Sequence, residues 1–136
     1  MKIFIGCSKH FYSKINKIKK ELEENEHKIT LPNSFNNPFK EEEMKNLNKE
    51  EHIKWKSNMM KKDETNIKPN DAILILNFEK HGKPNYIGGA TFLEVYKAWE
   101  LNKKIFFYNP LPKCSFTDEL IGINPIIING DLNLIK

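Results

Sequence analysis

In the stretch "NYIGGATFLE", residues 85–94, a glutamate follows a glycine pair and a threonine at short, fixed spacing. Gly88 and Gly89 allow the main chain to approach a ligand without side-chain interference. A helix starting beside them offers unpaired amide N–H groups and the positive end of its dipole, which suits a phosphate. Glu94, in the first turn of such a helix, would face that ligand. Near the anomeric carbon of a sugar, a carboxylate can stabilise an oxocarbenium-like transition state or attack to form a glycosyl ester. The same string also reads as a capping box, Thr91 and Glu94 satisfying the first amides of the helix reciprocally. Phosphoryl transfer fits less well, because the chain has no G-x-x-x-x-G-K-[ST] loop and no acidic cluster spaced to hold magnesium.

Other polar residues stand where strands begin or end. Asp71 opens the apolar run "DAILILN" and Asn77 closes it; Asn109 precedes Pro110 at the end of "KKIFFYN"; Gly6 and Ser8 belong to the small-residue loop "GCS". Each of these is also ordinary turn or cap chemistry. His81 lies in a Gly/Lys/Pro loop, and could protonate a leaving base if that loop folded inward. His10, His27 and His52 show no ligand spacing with one another or with Cys7 and Cys114, so neither a metal site nor a disulfide framework is expected. Cys7 reads as a small packing residue, and Trp55 and Trp99 as core or interface rather than base-stacking platforms.

Periodicity supplies the elements that must position these residues. Residues 2–6 alternate as a strand, and residues 13–26 place Ile15, Ile18 and Leu22 at helical spacing. "HKITLP" is a short strand stopped by Pro32, and residues 33–46 read as an irregular, Asn-rich excursion. A charged helix follows over 47–67, anchored by Ile53, Trp55, Met59 and Met60. Ala72 through Leu76 form a fully buried strand. Residues 91–102 predict a helix with Phe92, Val95, Tyr96 and Trp99 on its buried face and Glu94 off it. A fourth strand, a short helical turn at "TDELIG" and a fifth strand at "PIIIN" complete the chain. Strands alternating with helices predict a single α/β domain over 1–136: Rossmann-like (flavodoxin-like), three-layered, with a mostly parallel sheet of about five strands. In such sheets ligands sit beyond the carboxyl ends of the strands, which gathers the loops after residues 6, 77 and 108 around one crevice.

Composition narrows the classes. The formal net charge is +4, but all 22 basic residues are lysine and they are interleaved with glutamate, as on solvated helix faces. Without arginine, the flat fork that reads phosphate and guanine, nucleic acid is not expected as a partner. No apolar run is long enough to cross a bilayer and no secretory leader opens the chain, so a soluble cytoplasmic protein is expected.

The arrangement "NDAILILN…NYIGGATFLEVYKAWELNKKIFFYNP", with "KIFIGCSKHF" before it and "LIGINPIIINGDL" after it, resembles the nucleoside 2-deoxyribosyltransferase superfamily, including its branch of deoxynucleoside 5'-monophosphate N-glycosidases. The resemblance implies a Rossmann-like domain that assembles into homodimers or higher oligomers, acts on a small-molecule nucleoside or nucleotide and needs no cofactor. It implies Glu94 as the nucleophile at C1' and places the family's strand-opening aspartate at Asp71, its loop glycines at Gly88 and Gly89 and its first-loop serine at Ser8. Together with the reading of the residues, Glu94 and Asp71 are expected to be catalytic, and Gly6, Ser8, Asn77, Gly88, Gly89, Thr91 and Asn109 to bind substrate. Gly88 stands where transferase members carry aspartate and monophosphate-cleaving members serine. Lys9 or His10 would take the place of the latter's phosphate-binding arginine. The motif PGGxGTxxE of the cytokinin-activating phosphoribohydrolases is a more distant likeness, since "IGGATFLE" lacks its proline and third glycine. A nucleotide-binding domain without turnover is the alternative from another class.

Overall fold

The structure, a computed structural model, describes residues 1–136. In its sheet β1 (Lys2–Gly6) pairs on one side with β2 (Lys28–Thr30) and on the other with the central strand β3 (Ala72–Ile75). Beyond β3 lie β4 (Lys104–Phe107) and β5 (Ile126–Ile127), giving the all-parallel order β2-β1-β3-β4-β5. Side chains alternate across the sheet as the two-residue period demands. Ile3, Ile5, Ala72, Leu74 and Phe106 point into one apolar layer, and Phe4, Ile73, Ile75, Ile105 and Phe107 into the other.

The first layer is closed by α1 (Ile15–Glu24), through Ile15, Ile18 and Leu22, and by the C-terminal residues Leu132 and Ile135. The second is closed by the end of α3 (Lys49–Ile67), by α4 (Gly89–Glu100) and by α5 (Thr117–Ile123), through Ile67, Val95, Ala98 and Leu120. Helices thus cover both faces of a five-stranded parallel sheet, the three-layer Rossmann-like α/β fold that the alternating pattern predicts. Burying a large side chain such as Phe4, Phe106 or Phe107 contributes roughly 1.5–3 kcal/mol, and this sheet buries all three completely. No helix is long and apolar enough to cross a membrane.

Two elements differ from their sequence-based expectation in ways that matter for the site. Residues 33–46 are not wholly irregular: they hold turns and a short helix, α2 (Lys40–Lys45). In α4 the helix starts at Gly89 rather than at residue 91, and its buried face is Thr91, Glu94, Val95 and Ala98. Tyr96 and Trp99, expected in the core, are 44% and 49% exposed, their rings 5.8 Å apart on the outer surface. Small side chains at Thr91 and Ala98 let the helix lie close to the sheet, while Phe92 turns toward Phe116 beside α5. Tyr96 and Trp99 therefore face outward, while Val95 and Glu94 lie on the inner face.

Candidate active site

At the carboxyl ends of β1 and β3 the chain departs to opposite sides of the sheet, which opens a crevice at that point. A cavity of about 550 Å³ occupies it, within the range that small-molecule sites take. Cys7, Ser8, Lys9, His10 and Tyr12 line it from the segment after β1, and Gly88, Gly89, Thr91 and Glu94 from the start of α4. α3 presents Trp55, Lys56, Met59, Met60 and Asp63. The cover comes from Asn33, Pro38 and α2, where Glu42 pairs with Lys9 across the mouth and Glu41 meets Lys56 at 3.1 Å.

Glu94 sits at the bottom. It is 9% exposed and no hydrogen bond or ion pair compensates its carboxyl. Burial raises its proton affinity well above the ordinary carboxylate range, and the charge of Asp63 raises it further. Gly6 makes room for it: a Cβ there would lie 3.2 Å from Ile75 Cδ1 and 3.4 Å from Glu94 Oε2. The capping-box reading is overturned, because α4 begins after Gly88 with no side-chain cap, and Glu94 lies in the second turn.

Besides Glu94, and Glu41 and Glu42 of the cover, Asp63 brings a carboxyl to the cavity from α3. Asn33 Nδ2 donates to its Oδ1 at 2.8 Å, and Asn66 in turn donates to Asn33 Oδ1. Burial pushes Asp63 up to about 6, against the opposing effects of Lys56 and the Asn33 hydrogen bond. Both acids thus hold their protons more tightly than an exposed carboxylate does, Asp63 releasing its own near pH 6 and Glu94 raised by burial and by the charge of Asp63. Burial, reinforced by Glu94, also keeps the Cys7 thiol protonated, and the Tyr12 hydroxyl is pushed up by burial, Cys7, Glu94 and Glu41. Both therefore face the cavity as neutral groups.

The sequence-derived residues divide in two. Ser8, Gly88, Gly89, Thr91 and Glu94 meet around the cavity, with Gly6 directly behind Glu94. Ser8 also caps the 3₁₀ turn over Lys9–Lys14, accepting from His10 N at 3.4 Å. Asn77 and Asn109 do not reach the cavity. Asn77 Nδ2 donates to the carbonyls of Asn109 and Pro110 at 3.0 and 2.9 Å, and its Oδ1 accepts from Asn109 N at 2.8 Å. Asn109 Nδ2 closes the ring by donating to Asn77 O at 3.0 Å. This clasp joins the ends of β3 and β4 and keeps the loop after residue 108 out of the crevice.

Asp71 is misplaced for catalysis. It precedes β3 at the amino edge of the sheet, where its carboxylate accepts from Lys2 N at 2.8 Å, so it stands across the sheet from Glu94. His81 lies outside the cavity lining, on a tight turn. Asp63, Tyr12 and Asn33 were not among the expected residues, and Trp55, expected in core or interface, borders the cavity. The signal for α3 was the spacing Trp55, Met59, Asp63, four residues apart on one helix face. No group of three His, Cys, Asp or Glu side chains is arranged to hold a metal ion. No protein-family model matches the chain, and no curated protein sequence matches it.

Proposed function

We propose that this protein is a cytoplasmic N-glycosidase that cleaves the bond between base and sugar in a (deoxy)nucleoside or its 5'-monophosphate. One observation carries the reading: two carboxyls with raised proton affinities, Glu94 and Asp63, face one cavity, which Tyr12, Trp55 and Met59 also line. The resemblance noted above supports it and assigns Glu94 to C1'. Near neutrality the pair carries one proton, on Glu94. For Glu94 to attack, that proton passes to the ionised Asp63, a step that costs free energy and that substrate binding must offset, leaving a Glu94 carboxylate and an Asp63 acid. Glu94 attacks C1', the N-glycosidic electron pair leaves with the base, and the Asp63 proton neutralises it. Water then hydrolyses the glycosyl ester, its hydroxyl going to C1' and its proton to the carboxyl pair, which restores the starting state. A second base arriving in place of water would give transfer. Trp55 and Met59 offer an aromatic and apolar wall for the base.

The same reading includes self-association. Leu93, Tyr96 and Trp99 on α4, with Met60 on α3, leave an exposed apolar strip beside the cavity for a second copy.

Chromatographic base release tests the activity, on a panel of ribo- and deoxyribonucleosides and their 5'-monophosphates, with and without a second free base. Release by the parent that drops on the order of 10³-fold or more in Glu94→Gln is expected. A new nucleoside formed with the added base would name a transferase. No release from any substrate by a folded protein that still binds nucleotide would leave a binding domain.

A further inference from the structure

Asp63 is held by a residue from outside its own helix. Asn33 stands just past β2 in a turn where Phe35 N donates to Pro32 O at 3.1 Å, and the Phe35 ring packs against Tyr12 with centroids 5.6 Å apart. From that turn Asn33 Nδ2 reaches Asp63 Oδ1 at 2.8 Å. Asp63 and Asn66 lie three residues apart on one face of α3, so both meet Asn33 at once. Asn66 Nδ2 donates to Asn33 Oδ1, which turns the amino group of Asn33 toward the carboxyl.

A third amide fastens this pair to the sheet. Asn70, only 4% exposed, donates to Asn66 O at 2.6 Å and to the Thr30 hydroxyl at 3.3 Å, and its Oδ1 accepts from that hydroxyl at 3.4 Å. Thr30 is the last residue of β2. The strand end from which the cover departs is thus tied to the helix end that carries Asp63.

Of the groups that act on the Asp63 carboxyl, Asn33 alone does so through a hydrogen bond, whereas Lys56, on the same helix, also acts by charge. From the other elements around the cavity, Glu94 keeps its own proton, Cys7 and Tyr12 are neutral, and Glu41 of α2 pairs with Lys56. A protonated carboxyl accepts best at its carbonyl oxygen, so with Asn33 on Oδ1 the proton belongs on Oδ2.

We propose that Asn33 is a positioning residue for the reaction: it holds Asp63 by Oδ1, so that Oδ2 takes the proton from Glu94 and gives it to the departing base. The proposal rests on the glycosidase reading above and names the residue that orients its acid. An N–H donated to a carboxylate favours the charged form. Asn33 therefore keeps Asp63 ionised near neutrality, able to receive the proton, and makes it the readier donor afterwards. Because Asn33 opens the cover segment, the same bond joins the state of the acid to the closed cover.

Two arms test this. In the first, the side-chain carboxyl carbons of the four aspartates are labelled with carbon-13 and followed by NMR as pH is varied, few enough signals for Asp63 to be assigned by its loss in Asp63→Asn. Asn33→Leu keeps the size of the side chain and removes the amide. It is expected to move the Asp63 midpoint from about 6 to about 7 and to leave Asp71, Asp118 and Asp131 unmoved. Asn66→Leu, which frees the Asn33 amide to turn, should move the midpoint the same way by less, and it carries the test should Asn33→Leu fail to fold. In the second arm, base release by the parent and both variants is measured across pH. The acid limb of kcat/KM should rise with the midpoint, and the rate above that limb should drop about tenfold in Asn33→Leu. A residue that served structure alone would lower kcat/KM equally at every pH and leave the limb in place. An Asp63 midpoint unchanged or lowered in the folded variants, or an acid limb that stays while the midpoint moves, would overturn the proposal. The first arm needs no catalysis. A displaced midpoint in a protein that releases no base keeps Asn33 as the holder of Asp63 and sinks the glycosidase alone; base release with an unmoved midpoint does the reverse.

Discussion

Glu94 holds a proton that the same residue in an unfolded chain would release near its ordinary value, and this has two consequences at the scale of the residue. The first concerns stability. Between the ordinary carboxylate range and its raised folded value, the native state binds more protons than the unfolded state, so stability falls as pH rises through that window. Asp63, raised to about 6, adds to the same slope. Glu94→Gln removes its part, so melting followed by circular dichroism should show the variant more stable than the parent at pH 7, by roughly 3–5 °C, and level with it near pH 4. An equal difference at both pH values would mean that the carboxyl is not the cause. The second concerns rate. The proposed mechanism uses one proton shared by the pair, so it predicts that kcat/KM falls as pH drops through about 6, where Asp63 becomes protonated. Asp63→Asn should abolish that acid limb along with most of the activity, whereas Asp71→Asn should leave both in place, since Asp71 stands at the other edge of the sheet.

Among the elements, α3 and the β3–β4 clasp mark where sequence reading stopped. The strands were legible because β1 alternates, β3, β4 and β5 are short apolar runs and Pro32 closes β2, and the α4 loop because paired glycines before a helix have few other uses. The orientation of α4 was not: large aromatics suggested the buried face, yet close packing on the sheet selected the small residues Thr91 and Ala98. α3 hid its role in a different way. Only Ile67 of its residues is fully buried, and the face carrying Trp55, Met59 and Asp63 turns to a cavity rather than to a core. Apolar periodicity cannot register a stripe that mixes aromatic, thioether and carboxyl groups. Asp63 and Asp71 lie eight residues apart in one chain segment. Only the topology, which puts one on a helix beside the crevice and the other at the far edge, separates them. The clasp yields its own prediction. Asn77 is fully buried and each of its side-chain donors meets a carbonyl. Asn77→Asp, which turns an oxygen toward those carbonyls, should cost about 3 kcal/mol or more in urea unfolding, and Asn77→Ala somewhat less. Nucleotide affinity of the folded fraction should be unchanged, because the clasp does not line the cavity.

For the whole molecule, the parallel doubly wound sheet was the most legible feature, because strand–helix alternation leaves few other arrangements. Assembly is decided on the outside of the same layers. The apolar strip of Leu93, Tyr96 and Trp99 should bring two copies together, so light scattering behind size exclusion is expected to give a dimer mass. Trp99→Glu should give a monomer with an unchanged melting temperature; a parent that is monomeric at high concentration would remove self-association from the proposed function.

The cavity has two builders that hardly depend on each other. Its floor is sheet and α4, whereas its cover, from Asn33 through α2, is an excursion in the crossover between β2 and β3, tied across by Glu42–Lys9 and Glu41–Lys56. Lengthening such a segment adds only about 0.6 kcal/mol of closure entropy per doubling. The molecule is therefore built like a mount with an exchangeable lens: Glu94 stays where α4 holds it against the sheet, Asp63 stays on α3 as long as Asn33 is kept, and a rewritten stretch of about a dozen residues could change what they are shown. For a designer seeking a new leaving group, residues 34–46 are the place to randomise first, with Asn33 left in place to hold Asp63.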